Sequence, residues 1–296
     1  MRRARALVAC AVCSLAAFGV TARAGAYCRA RTCNPENPKQ HCELDGNCVT
    51  SGHLLHWPSG CVSFDVQEDG SKKLGIDANA ALDATSAAFH AWETADCGGN
   101  APALAPGTFG PVTCDESRYN EHGKNANIVV FRDEEWPYPN SIDAYALTTV
   151  RFEPSTGEIV DADIEVNSHD FEIAIDGPPR TVDLQSILTH EVGHFLGMAH
   201  AAQSDVVSTM RAGWNGMGLD LRTLSPDDEA GICDAYPPGT SVPNSCEPRN
   251  GFASECNVSI NETAGCALEP ARRRGDWALT GVLFALFVLR RRTARA

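Results

Sequence analysis

The apolar positions along this chain change period several times, and each change marks an element. In "ANAALDATSAAFHAWETA", Leu82, Phe89 and Trp92 recur at near-helical spacing, and Asp77 stands where a helix N-cap belongs. That pattern predicts an amphipathic helix whose stripe faces a core. Shorter apolar runs predict strands: one over about residues 61–66 in "LLHWPSGCVSFDV", one in "NIVVF", and two in "AYALTTVRFEPSTGEIVDADIEVN", joined by the turn "PSTG". The last of these alternates Ile159, Asp161 and Asp163 with Val160, Ala162 and Ile164. A strand with one solvated face is the expectation there.

The period returns to that of a helix in "TVDLQSILTHEVGHFLG", with Asp183 as N-cap and Leu184, Ile187, Leu188 and Phe195 turned inward. This helix carries the candidate chemistry. At 3.6 residues per turn, His190 and His194 lie one above the other, so both rings can reach a single metal ion. Glu191 is one step round the helix, close enough to touch a water at that ion but poorly placed to be a ligand. Gly197 suits the position just past the helix end, where the chain turns back and can bring His200 to the same ion. Three neutral imidazoles leave an open fourth position on a tetrahedral zinc, the arrangement of a catalytic site. Further on, "LSPDDEAGICDAYP" predicts another helix, with Ser225 as cap and Pro226 at its first position. Asp227, Asp228 and Glu229 then face the positive helix end, which favours capping over metal binding.

"HEVGHFLGMAH" fits the extended H-E-x-x-H-x-x-G-x-x-H signature of metzincins. With Met210 in "VVSTMRAG", the strand "EIVDADIEVN" and the helix "LSPDDEAGICDAY", the chain resembles a matrixin-type metzincin over about residues 54–238. The resemblance implies an α+β fold: a twisted, five-stranded, mostly parallel sheet, an active-site helix, a C-terminal helix, and a zinc cleft beside an edge strand. It implies His190, His194 and His200 as zinc ligands, Glu191 as general base, and Met210 packed in a turn under the metal. The implied activity is zinc-dependent endopeptidase action on protein or peptide substrates. Two rivals stay open: a non-catalytic surface binding module on the same fold, and a zinc hydrolase of cell-wall amide bonds.

The likeness has departures. Asp161, Asp163 and Glu165 stand where matrixins commonly place histidines for a second, structural zinc, so that zinc is not expected. Calcium at these carboxylates is an alternative to the solvated face. The Pro-x-Tyr that usually follows the turn methionine is replaced by "RAGWNGMG", so subsite preference does not transfer. The family's inhibitory propeptide motif is not found.

Composition places the chain outside the cytosol. Residues 1–26 combine early arginines, an apolar run and the small residues of "TARAGA", which reads as a secretory signal peptide. Export agrees with thirteen cysteines, of which Cys10 and Cys13 leave with the signal. Residues 27–53 form a Cys-rich lead-in with Cys28, Cys33, Cys42 and Cys48, and a bridge from Cys97 to Cys114 would close a Gly/Pro-rich loop. The formal net charge is −14, and residues 27–271 carry 13 basic against 37 acidic side chains. That balance argues against nucleic acid as a partner.

After a linker at 239–265, the tail 266–296 joins Cys266, a 13-residue apolar run at 277–289 and an arginine cluster. As a helix that run would reach about 20 Å, short of the roughly 30 Å hydrocarbon core. The pattern resembles the C-terminal sorting tails of myxobacterial surface proteins, processed at the cysteine; an ordinary membrane anchor is the alternative. Setting Cys266 aside leaves ten exported cysteines, enough for five bridges. The expectation is an exported monomer held at the cell surface through its C-terminus.

Overall fold

The computed structural model describes residues 27–176, 181–202, 208–214 and 218–255, together with the backbone of 280–287. The signal region, Cys266 and the rest of the tail lie outside the described residues. The elements that position the site are strands β1 (Asp65–Val66), β2 (Ile128–Phe131), β3 (Ala144–Phe152), β4 (Ile159–Val166) and β5 (Thr280–Phe287), and helices α1 (Ala78–Glu93), α2 (Leu184–Phe195) and α3 (Pro226–Ala235).

The sheet runs β5-β3-β4-β2-β1. β1 with β2 and β2 with β4 pair parallel, whereas β3 pairs antiparallel with β4 and β5 antiparallel with β3. The expected mostly parallel sheet is therefore corrected: the "PSTG" turn is short, so β3 and β4 meet as a hairpin. The fifth strand comes from the tail. Its described part is extended rather than helical and lies along the free edge of β3, where unpaired backbone groups accept another strand. Among the described residues no helix is long and apolar enough to cross a membrane.

One face of the sheet packs on α1 and α2. In α1 the buried positions are Ala81, Ala84, Thr85, Ala88, Phe89 and Trp92, a helical stripe carried partly by small residues. Leu82, assigned to that stripe from its spacing, is only partly buried at its margin. Asp77 caps the helix by accepting from the Ala80 N–H at 2.9 Å. Phe89 stacks on Phe64 and meets Phe195 of α2 edge-on, with centroids 4.2 and 5.1 Å apart. Trp92 Nε1 donates to the Thr189 carbonyl at 2.8 Å, fixing α1 against α2 beside the histidines.

On the opposite face of β4, Asp161, Asp163 and Glu165 are fully buried, which overturns the solvated-face expectation. Arg151 reaches Asp161 and Asp163 at 2.6 and 3.0 Å, and Arg132 Nε reaches Glu165 at 2.6 Å. Ser117 also donates to Asp163, so a loop and two guanidinium groups cover the carboxylates. Calcium finds no support: the positive charge that would stabilise these acids is already supplied by arginine.

The cysteines staple the periphery. Bridges join Cys28 to Cys48, Cys33 to Cys42, Cys61 to Cys246 and Cys97 to Cys233. Cys114 is also disulfide-bonded. The expected Cys97–Cys114 bridge is thus wrong, because Cys97 follows α1 and is brought by packing to Cys233 of α3 instead.

Candidate metal centre

Helix α2 is built to be rigid. Asp183 caps it by accepting from the Ser186 N–H at 2.8 Å, and Arg222 holds that carboxylate from outside at 2.6 Å. At the other end the Phe195 carbonyl accepts from Trp57 Nε1 at 2.8 Å and the Leu196 carbonyl from the Tyr236 hydroxyl at 2.9 Å. Carbonyls that a helix end would leave without partners are satisfied by buried side chains. Gly197 then takes φ +89°, and a Cβ there would stand 2.5 Å from the Leu55 carbonyl oxygen. Only glycine fits both demands, and the reversal it permits carries the chain to His200. Met198 and Ala199 pair antiparallel with Arg29 and Cys28, so the lead-in braces the segment that delivers the third histidine.

The three imidazoles converge. Their Nε2 atoms lie 3.1 Å (His190 to His194), 3.2 Å (His190 to His200) and 3.2 Å (His194 to His200) apart. A tetrahedral ion with bonds of about 2.0–2.1 Å needs ligand atoms roughly 3.3 Å apart, so this triangle fits one metal. His190 Nδ1 donates to the Thr209 carbonyl at 2.6 Å and His194 Nδ1 to the Met198 carbonyl at 3.0 Å. A carbonyl can only accept, so both rings carry their proton on Nδ1 and turn the Nε2 lone pair inward. Burial lowers His190 to about 4 and His200 to about 3, and pushes His194 well down, the other histidines adding to the effect at His194 and His200. The imidazoles are held neutral, the form that binds metal.

Met210 is buried beneath the helix. Its backbone carbonyl accepts from Ala201 N at 2.7 Å, and a Cβ on Gly193 would come within 2.2 Å of its sulfur. Glu191 is fully buried. Its Oε2 accepts from the Thr148 hydroxyl at 2.5 Å, while Oε1 has no hydrogen-bond partner among the described residues. Burial pushes the carboxyl up to about 8, opposed by the Thr148 bond. A bound cation would act in the same direction as that bond, favouring the ionised form. Three inward lone pairs are the donor set of a metal site, and a carboxylate oxygen buried without a hydrogen-bond partner among the described residues lies on the same helix.

The matrixin family model matches residues 56–237. The chain belongs to the matrixin family. Matrixins are zinc-dependent metalloendopeptidases, and the triad of this matrixin is positioned to bind the metal. No curated protein matches the chain.

Of the residues that the motif assigned, the structure brings the ring nitrogens of His190, His194 and His200 together; Glu191 lies on the same helix, and the Met210 sulfur sits against that helix at Gly193. Three others were missed. Thr148 comes from β3 and donates to the Glu191 carboxylate. Gly193 lets Met210 and Trp92 approach α2, and a glycine inside a helix, costing roughly 1 kcal/mol, was the available signal. Asp228 was read only as a cap. It does form a capping box with Ser225, but it also accepts from Ser208 Oγ at 2.6 Å, Thr209 N at 2.8 Å and Met210 N at 3.2 Å. One buried carboxylate therefore holds both the start of α3 and the methionine turn.

Proposed function

We propose that this matrixin is an exported endopeptidase, attached at the cell surface, in which Glu191 is the general base. The observation that carries the reading is the Glu191 carboxylate, on the helix that presents His190 and His194: one oxygen accepts from Thr148, and the other is buried with no hydrogen-bond partner among the described residues. His190, His194 and His200 would hold zinc, which when bound supplies Lewis-acid polarisation of a carbonyl and lowers the pKa of water at its open position. Glu191 Oε1 takes a proton from the attacking water and passes it to the leaving amine nitrogen. The carboxylate is restored at the end of the cycle, and no covalent bond to the protein is formed. Burial excludes bulk water from the base, so the proton it takes is delivered within the site.

Export is supported by the signal pattern at 1–26 and by the disulfides, which persist in oxidising compartments. For attachment, the tail pattern makes Cys266 the processing site, with the segment beyond it removed from the mature protein. Mass spectrometry of the surface fraction tests this: peptides from 277–289 should be missing, and their recovery would make the tail a permanent anchor.

Cleavage profiling of the purified protein on a mixed peptide library tests the activity. Internal cuts that stop on chelation and return with zinc are expected. Failure to cut any peptide, with zinc-dependent cleavage of cell-wall amide crosslinks, would contradict the endopeptidase reading.

A further inference from the structure

Thr148 belongs to β3, not to the helix that carries the triad, and it is fully buried. Its Oγ1 lies 2.5 Å from Glu191 Oε2 and 3.2 Å from the Glu191 carbonyl oxygen. A hydroxyl has a single proton to donate, and the shorter contact is the one to the carboxylate. Resting on the assignment of Glu191 as base, we propose that Thr148 is its positioning residue: the hydroxyl occupies Oε2 and fixes the carboxylate plane, so that Oε1 alone faces the reacting water.

The argument is geometric. A glutamate side chain has three rotatable bonds, and a carboxylate can present either oxygen or swing toward a neighbouring cation. Oε1 has no hydrogen-bond partner among the described residues, so none of them fixes the plane from its side. Thr148 supplies the second point of attachment, and its own place is set by the sheet, where it pairs with Ile164 of β4. Threonine is stiff about χ1, so its hydroxyl is aimed by backbone and methyl packing rather than by the bond it makes. Thr149, the next residue, points to the other face of the strand, so only one of the two hydroxyls reaches the base. A polar pair inside the apolar run "ALTTVRF" has here a catalytic consequence: the strand bordering the site and the helix carrying the base are coupled through one hydrogen bond.

Thr148→Val removes the hydroxyl and keeps the shape, while Thr148→Ser keeps the hydroxyl. On the purified protein with one zinc per chain, Thr148→Val should lower kcat roughly 10–100-fold, part of the 10²–10⁴ that a positioned base supplies. KM should stay within about threefold, because the peptide is not touched, and Thr148→Ser should recover kcat to within about fivefold. A second readout needs neither turnover nor metal. In the zinc-free protein at alkaline pH, the Glu191 carboxylate stretching band, isolated by subtracting the spectrum of Glu191→Gln, should shift in Thr148→Val and hold its position in Thr148→Ser. Unchanged kcat in Thr148→Val, equal losses in the valine and serine variants, or an unmoved band would each overturn the proposal. If the wild-type protein cuts no peptide, the endopeptidase reading fails, and the infrared band still decides whether Thr148 holds the carboxylate.

Discussion

Single residues set the electrostatics of the site, and burial is the dominant cause. Burial holds His190 at about 4 and His200 at about 3, against an ordinary 6.5. On acidification the unfolded chain takes up these protons first, so the histidine contribution to stability is complete above pH 6.5 and is lost as pH falls toward 4. Glu191 has the opposite sign. Burial raises it from 4.5 to about 8, so the metal-free folded chain keeps a proton that the unfolded chain has released, and stability declines as pH rises through that interval. Urea unfolding of the metal-free protein at pH 6.5 and 8 should show this decline, with at most about 1.4 kcal/mol per pH unit from this group. Glu191→Gln should flatten it, and an unchanged slope in that variant would remove Glu191 as the source. The histidine triad was legible in the sequence because its spacing lies within one helix and one turn. Thr148 was not, since its contact with Glu191 spans 43 residues and depends on where the sheet sets β3 against α2.

At the scale of elements, α2 is fixed at both ends, and the methionine turn is pressed against its middle. Asp228 accepts from Ser208, Thr209, Met210 and Ser225, so Asp228→Ala would strand several buried donors. A loss of about 3 kcal/mol or more is expected in denaturant unfolding. Zinc affinity should fall with it in a chelator competition, because the Thr209 carbonyl orients His190. Unchanged zinc affinity would show that the turn and the ligand are uncoupled. Gly193→Ala should cost roughly 1–3 kcal/mol through overpacking, because its Cβ would meet the Met210 sulfur at 2.2 Å and Trp92 Cζ2 at 2.7 Å. Helices were read well from sequence because caps and periodicity are local: Asp77, Asp183 and Ser225 all cap as expected. Sheet order and strand direction were read less well, since pairing is set by tertiary neighbours; β4 reads as half-solvated by alternation, yet arginines from β3 and from just beyond β2 cover its acids.

At the scale of the whole molecule, the lead-in, helices and sheet form one support for the third ligand. The strand pair of Cys28–Arg29 with Met198–Ala199 precedes His200 directly, and the Cys28–Cys48 bridge anchors that lead-in. Replacing both cysteines with serine should lower stability by about 2–4 kcal/mol and speed zinc loss to a chelator, whereas an unchanged rate would make the lead-in irrelevant to the site. Spacing alone gave no access to this, as the Cys97–Cys233 bridge across 136 residues illustrates: connectivity follows where the fold sets the loop after α1 against α3. All of these parts serve one chemical claim, that three histidines hold the metal while Glu191 is left free to move a proton. The most direct measurement is peptide hydrolysis by Glu191→Ala at verified zinc content. Zinc retained at one per chain with hydrolysis down more than about 100-fold is the predicted result, in line with loss of a general base. Zinc lost with the side chain, or activity within about tenfold of wild type, would contradict it.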